Sequence, residues 1–251
     1  MSSLHAPKFC ANPVSNGIVI FIHGFMGSPR QFDRLAGAVH RNGCSAAALL
    51  LPGHGGSAKD FSLGTFSGWQ SHVDAEVERY SCDYKKIWLA GHSMGGLLAI
   101  NSAVRFGQSV QGIFTLACPF KIITFSAHAL NVRIKQVFSK KNDPIKIAYL
   151  SNSSIALSPG LLWHTRKPAA EIKKLMLEAR NNLSQVRAPF VAVYSASDEL
   201  TSIVSLDILK AGLTGASLES LVLADSLHAY YPEHEQLLIE QALLKLVAPP
   251  H

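Results

Sequence analysis

The stretch WLAGHSMGGLLAI, Trp88 to Ile100, sets one serine, Ser93, between Gly91 and Gly95, with an apolar run before it and small residues after it. A serine hydroxyl is a weak nucleophile until a base takes its proton, and that base in turn needs an acid to orient it. G-x-S-x-G acquires meaning where a buried strand turns sharply into a helix, because the turn lifts the hydroxyl above the edge of the sheet. Backbone at such a turn is strained, and the positions two residues away must be small enough not to clash, which is the role of Gly91 and Gly95. The N–H of Met94, opening the helix, then faces any oxyanion formed beside Ser93. A glycine-rich turn carrying an incidental serine is the bland alternative, and the strand-to-helix setting favours the chemistry.

Eleven histidines could supply the base. His23, His54 and His92 lie inside motifs whose glycines already explain the turns, and they read as structural or loop-lining. His5, His40, His72, His128, His164, His234 and His251 fall in tails, expected helices or the basic segment described below, where a solvated histidine is ordinary. His228 differs, since it follows the last expected strand in ADSLHAYYPEH. An acid is needed after the preceding strand, and VAVYSASDELTS supplies Asp198, with Glu199 as the adjacent rival. The order Ser93, Asp198, His228 is one in which a nucleophile elbow is followed along the chain by its acid and then its base. The second oxyanion donor should come from HGFMGSP, residues 23–29, where glycines let backbone approach a substrate. The N–H of Phe25 is the expected donor and that of Met26 its rival, and Gly24 lies beside them.

These residues need elements to hold them. Ile18–Ile22, Ala46–Leu51, Ile87–Ala90, Val110–Cys118, Phe190–Tyr194 and Leu218–Leu223 read as buried strands. Helical spacing recurs from Arg30, over Trp69–Val77, Gly96–Val104, Ile203–Leu209 and Glu235–Val247. Alternation of this kind predicts right-handed crossovers and a mostly parallel sheet of about six to seven strands covered by helices on both faces. Each of the three site positions stands just past the carboxyl end of a strand, where open parallel sheets gather their sites.

One stretch breaks the rhythm. Residues 119–180 hold eleven Lys or Arg against three Asp or Glu, a balance of +8, so the remainder of a chain of net charge +6 carries −2. The expected organisation is therefore a hydrolase core over 1–118 and 181–251, interrupted by an inserted cap over 119–180. Its apolar side chains, among them Phe120, Phe125 and Trp163, are expected to wall an acyl pocket, and its charges either solvate a lid or associate weakly with anionic or lipid surfaces. A pI near 9.2 concentrated in one segment is poor grounds for a nucleic-acid partner, and none is expected. Cys10, Cys44, Cys82 and Cys118 form no C-x-x-C pair and read as free thiols, and no metal site is expected. The opening MSSLHAPKFCANPVSNG lacks the apolar stretch of a signal peptide and no run approaches a membrane span, so a cytoplasmic location is expected.

HGFMGSP, LPGHGGS and GHSMGG, followed by APFVAVYSASDELTS and DSLHAYYPEHE, resemble the α/β-hydrolase superfamily, most of all small bacterial carboxylesterases and monoacylglycerol lipases. The resemblance spans about residues 17–118 and 181–247. It implies a nucleophile, acid and base at Ser93, Asp198 and His228, and oxyanion donors at Phe25 and Met94, with no cofactor. Two departures stand out: Ser195 replaces the usual glycine before the acid, and only about sixteen residues precede the first buried strand, which leaves room for a reduced opening hairpin at most. The activity implied is hydrolysis of short- to medium-chain acyl esters, including monoacylglycerols. Thioester, aminopeptide or carbon–carbon bond hydrolysis would use the same three groups, and a hydrolase-like protein that binds a ligand without turnover would keep the same fold.

Overall fold

The computed structural model describes residues 5–123, 127–155 and 160–248; Phe125 lies outside them. Seven strands form one sheet in the order β1-β3-β2-β4-β5-β6-β7. They are β1 (Lys8–Cys10), β2 (Gly17–Ile22), β3 (Ser45–Leu49), β4 (Lys86–His92), β5 (Val110–Leu116), β6 (Phe190–Ser195) and β7 (Leu218–Leu223). Strands β2 to β7 run parallel, and β1 alone pairs antiparallel, against β3. The expected loss of an opening hairpin thus leaves a single three-residue edge strand. β3 also ends two residues earlier than the apolar run, ahead of the turn at Pro52.

Strand β2 shows why the sheet is buried on both sides. Ile18, Ile20 and Ile22 enter one core layer while Val19 and Phe21 enter the other, the two-residue alternation of a pleated strand doubled by apolar residues on both faces. The first layer is closed by α3 (Phe66–Ser81), α4 (Met94–Phe106), α7 (Leu161–Asn182) and α8 (Val204–Gly212). The second is closed by α1 (Asp33–Arg41), which follows a single 3-10 turn at Pro29–Phe32, and by α9 (Glu233–Val247). Connections between parallel neighbours are helical, as the rhythm of the sequence predicts.

Three further helices escape that rhythm. α2 (Ala58–Ser62) is announced by a capping box in which Ser57 and Asp60 satisfy each other's backbone N–H groups. Within 119–180 lie α5 (Ala127–Phe138), α6 (Pro144–Asn152) and most of α7. The last turns of α7 bury Leu175 and Ala179 in the same layer as α4, so this helix is rooted in the core at its carboxyl end. No helix among the described residues is long and apolar enough to cross a membrane.

Candidate active site

Strand β4 runs straight into α4 through Ser93, whose φ of 52° and ψ of −120° no L-residue adopts at ease. Such a conformation costs about 1–3 kcal/mol and persists only where its surroundings over-determine it. Here Ser93 N–H donates to the Leu116 carbonyl on β5 at 2.8 Å, and Gly96 N–H donates to the Ser93 carbonyl at 2.9 Å. The flanking glycines are required by backbone contact. A Cβ at Gly91 would lie 2.3 Å from the Gly95 carbonyl oxygen, and one at Gly95 only 1.9 Å from that of Ile22. Met94 is the first residue of α4, in the turn whose N–H groups have no intrahelical acceptor.

His228 and Asp198 converge on this serine from the loops after β7 and β6. His228 Nε2 lies 3.0 Å from Ser93 Oγ, and its Nδ1 lies 2.9 and 3.2 Å from the two Asp198 carboxylate oxygens. A carboxylate can only accept, so Nδ1 carries the proton and Nε2 is left free to take one from the hydroxyl. Asp198 Oδ1 also accepts the N–H groups of Leu200 and Thr201, each at 2.8 Å. All three side chains are almost fully enclosed, Ser93 and His228 at 9% exposure. Burial pushes the Asp198 carboxyl up, but the facing imidazole and the two N–H donors outweigh it and hold the group below its ordinary range. Burial likewise pulls His228 down, and Asp198, joined by Glu199, more than reverses it, so the imidazole is raised above its ordinary value.

The two loops are tied to each other. Ser195 donates its hydroxyl to the Ser226 carbonyl at 2.6 Å, and Ser197 donates to the Ala224 carbonyl at the same distance. Glu235 of α9 accepts the N–H groups of Ala224 and Asp225 and the hydroxyl of Ser226. Asp225 itself is 66% exposed and pairs with His234. Asp225, His234 and Glu235 bring three potential ligand atoms within 4.8 Å, but Glu235 is already committed to the loop's backbone.

The loop after β2 forms a turn closed by Gly27 N–H to the Gly24 carbonyl at 2.9 Å, with Met26 at φ 57°, a position that such turns usually give to glycine. A Cβ on Gly24 would sit 2.9 Å from His92 Nδ1 and 3.1 Å from Ser93 Cβ, so this turn abuts the elbow. His23 fixes its base: Nδ1–H donates to the Gly24 carbonyl at 2.9 Å and Nε2 accepts Leu51 N–H at 3.1 Å. Phe25 stacks edge-on against Phe61 of α2, and Phe61, Ile155 and Leu161 form a small apolar cluster that Phe25 and Met26 join.

Several placements differ from the sequence reading. Phe120 is buried in the main core with its N–H held by Ser205 Oγ, so it packs beneath the sheet's loops. Trp163 is 71% exposed on the first turn of α7, with the Arg166 guanidinium over its ring, so it does not wall the site in this arrangement. Phe61, Ile155 and Leu161 pack beside Phe25 instead, and the sequence reading singled out neither Phe61 nor Ile155. His92, read as structural, touches His228 directly: its Nε2–H donates to the His228 carbonyl at 2.8 Å and the two rings lie 4.9 Å apart. Burial, then the neighbouring His228, pulls His92 down to about 3, so it is a neutral strut. Glu199, the rejected rival acid, is buried and accepts the backbone N–H of His228 at 3.0 Å. A cavity of about 310 Å³ lined in part by Gly17, Asn42, Cys44, Lys86 and Trp88 lies at the amino ends of β2 and β4, away from all these groups.

Known proteins place this arrangement. The chain is 24% identical over 233 residues to a thermostable monoacylglycerol lipase of Bacillus sp. (strain H-257), covering 90% of this chain and 88% of that one. A 110-residue stretch is 36% identical to 2-succinyl-6-hydroxy-2,4-cyclohexadiene-1-carboxylate synthase of Salmonella paratyphi C (strain RKS4594), 44% of this chain and 40% of that protein's length. Among solved structures, one from a study of the metagenome-derived lipolytic enzymes LipS and LipT superposes with a TM-score of 0.76 at 21% identity over 98% of both chains. The monoacylglycerol lipase of Paleococcus ferrophilus does so with a TM-score of 0.70 at 16% identity, over 96% of this chain and 98% of that one. The sequence matches the alpha/beta hydrolase family over residues 19–236, and with that span, the seven-stranded sheet and the elbow between β4 and α4, the chain belongs to that family.

Proposed function

We propose that the protein hydrolyses carboxylic esters of short- to medium-chain acyl groups, monoacylglycerols among them, through an acyl-enzyme on Ser93. The observation that carries this reading is the hydrogen-bonded chain from Ser93 Oγ through both nitrogens of His228 to Asp198, assembled on a strained elbow. In this mechanism His228 Nε2 removes the Ser93 proton as Oγ attacks the ester carbonyl. The N–H groups of Phe25 and Met94 hold the oxyanion, and Asp198 stabilises the imidazolium without taking its proton. Collapse expels the alcohol, which leaves with the proton from His228. Water, activated by the same imidazole, then attacks the acyl-enzyme and restores Ser93. The lipase relative and the lipolytic neighbours support an ester as the bond cleaved.

Residues 119–180 serve in this reading as a cap. Ile155 and Leu161 pack with Phe25 and Phe61 beside the elbow, which suits an acyl chain better than a charged group. Exposed Phe138 and Leu150, with the surrounding lysines, suit contact with an anionic lipid surface. The experiment is a rate profile of the purified protein and its Ser93→Ala variant over p-nitrophenyl esters, acyl-CoA thioesters and monoacylglycerols. The reading expects ester cleavage that falls by several orders of magnitude in the variant. Preference for thioesters would move the substrate class, and near-wild-type cleavage by Ser93→Ala would remove the nucleophile.

A further inference from the structure

Helix α6 and Ser154 just after it reach three loops of the site, those that carry Asp198, His228 and Phe25. The Tyr149 hydroxyl donates to Glu199 Oε1, on the acid loop. Asn152 Nδ2 donates to the Ala229 carbonyl, on the base loop, at 3.4 Å. Ser154 donates its N–H at 2.8 Å and its hydroxyl at 3.3 Å to the Met26 carbonyl, in the oxyanion loop. Glu199 occupies the centre of this arrangement, because its second oxygen accepts the backbone N–H of His228. Buried carboxylates are costly unless their oxygens are satisfied, and the two donors on Glu199 come from opposite sides: one from the base's own backbone, one from the segment 119–180.

We propose that Glu199 and Tyr149 are positioning residues for the base, so that seating of α6 on the acid loop sets the place of His228 and tunes its basicity. This rests on the ester-hydrolase reading above. Geometry supplies the first half: one carboxylate grips the main chain of His228 while its neighbour, Asp198, grips the ring. Electrostatics supplies the second. The groups facing His228 are Asp198 and Glu199 from the loop after β6, His92 and Ser93 from the elbow, Tyr231 from its own loop, with Tyr149 behind Glu199. His92 is held neutral by burial, and so are the two tyrosine hydroxyls, burial being the leading cause at each with the carboxylates next. Among the described residues the charges facing the imidazole are therefore two carboxylates, and both favour its protonated form. Tyr149, kept protonated, is a standing donor to the Glu199 carboxyl that grips the His228 main chain.

The test compares the unaltered protein with Tyr149→Phe, Glu199→Gln and the double variant on a soluble p-nitrophenyl ester, with kcat and KM resolved across pH. Tyr149→Phe keeps the ring in place and removes one hydroxyl, and a thermal melt for each variant separates loss of fold from loss of rate. The proposal expects kcat to fall roughly tenfold in Tyr149→Phe, the size of one hydrogen bond to a charged group, with KM within about twofold. In Glu199→Gln the acid limb of kcat/KM should move to lower pH, because one of the two charges that raise His228 is gone. The double variant should be no worse than about twofold below the slower single, since both changes break one relay. Unchanged kcat in Tyr149→Phe, an unmoved acid limb in Glu199→Gln, or fully additive losses would each overturn the proposal while leaving Ser93 chemistry standing. Absence of ester turnover in the unaltered protein would overturn the hydrolase reading and this one with it.

Discussion

Replacing Asp198 by Asn tests the acid assignment at a single atom. Asp198 Oδ1 accepts two backbone N–H groups at 2.8 Å, from Leu200 and Thr201. An amide at this position must keep its oxygen toward those two donors, since turning the NH2 group to them would leave two buried donors facing a third. The NH2 group is then directed at His228 Nδ1, which lies 2.9 Å from Asp198 Oδ2. A donor facing Nδ1 forces that nitrogen to accept, so the neutral ring moves its proton to Nε2, 3.0 Å from Ser93 Oγ. The base then meets the hydroxyl with a proton already on it. In serine hydrolases of this design the amide-for-acid exchange lowers kcat about 10⁴-fold, or about 5.4 kcal/mol in the barrier. Folding should change little, because both backbone N–H bonds survive. The assay is kcat on a p-nitrophenyl ester, with Glu199→Gln and Asp225→Asn measured beside it. Glu199→Gln should cost about 10-fold, one hydrogen bond to a charged group, and Asp225→Asn nothing measurable, since its carboxylate is at the surface. An Asp198→Asn loss smaller than that of Glu199→Gln would refute the reasoning and transfer the acid's role.

In Gly95→Ala the new Cβ would meet the Ile22 carbonyl oxygen at 1.9 Å, a backbone atom that cannot step aside, and urea unfolding should show a loss of at least about 3 kcal/mol or no folded protein at all. The acid limb of kcat/KM in the unaltered protein should have its midpoint above 6.5, the ordinary histidine value, because Asp198 raises His228 and the base must be neutral to act. Stability should fall steeply as pH drops below about 6.5: burial holds His23 well below its ordinary value, His54 at about 4 and His92 at about 3, so the unfolded chain takes up protons that the folded one refuses. His228, raised in the folded state, contributes stability that is full below about 6.5 and fades at higher pH, so it leaves that slope to the other three, and a urea midpoint that does not change between pH 7 and 5 would contradict it. Changing Lys140, Lys141, Lys173 and Lys174 to Gln should lower activity on anionic vesicles and remove its salt dependence while leaving soluble neutral esters unaffected, if the cap's charges meet lipid.

What the sequence shows most clearly is what local sterics demand. Gly91 and Gly95 mark the elbow because backbone contacts from Gly95 and Ile22 admit no Cβ there, and the doubly apolar β2 marks a strand buried on both faces. Asp198 and His228 are legible because each follows a strand end in a fixed order. Glu199 is not, because its partners Tyr149 and His228 lie 50 and 29 residues away and only the folded chain brings them to one carboxylate. The segment 119–180 is opaque for a related reason. Its helices mix apolar and basic residues, and α6 is held at the site by hydrogen bonds to loops, which leave no periodic trace. Trp163 illustrates the error this invites: a large aromatic in an apolar stretch suggests a pocket wall, yet it stands on the outer face of α7. β1 and α2, three and five residues long, are too short for any period to register.

The central claim is that Ser93 carries the acyl group, and covalent trapping tests it most directly. Incubation with a p-nitrophenyl phosphonate, followed by intact-mass and peptide-mass analysis, should show one phosphonyl adduct per chain on the peptide containing Ser93. Ester hydrolysis should be lost in step with labelling, and Ser93→Ala should take up no label. Hydrolysis that survives full labelling, or an adduct on another residue with Ser93 untouched, would contradict the account.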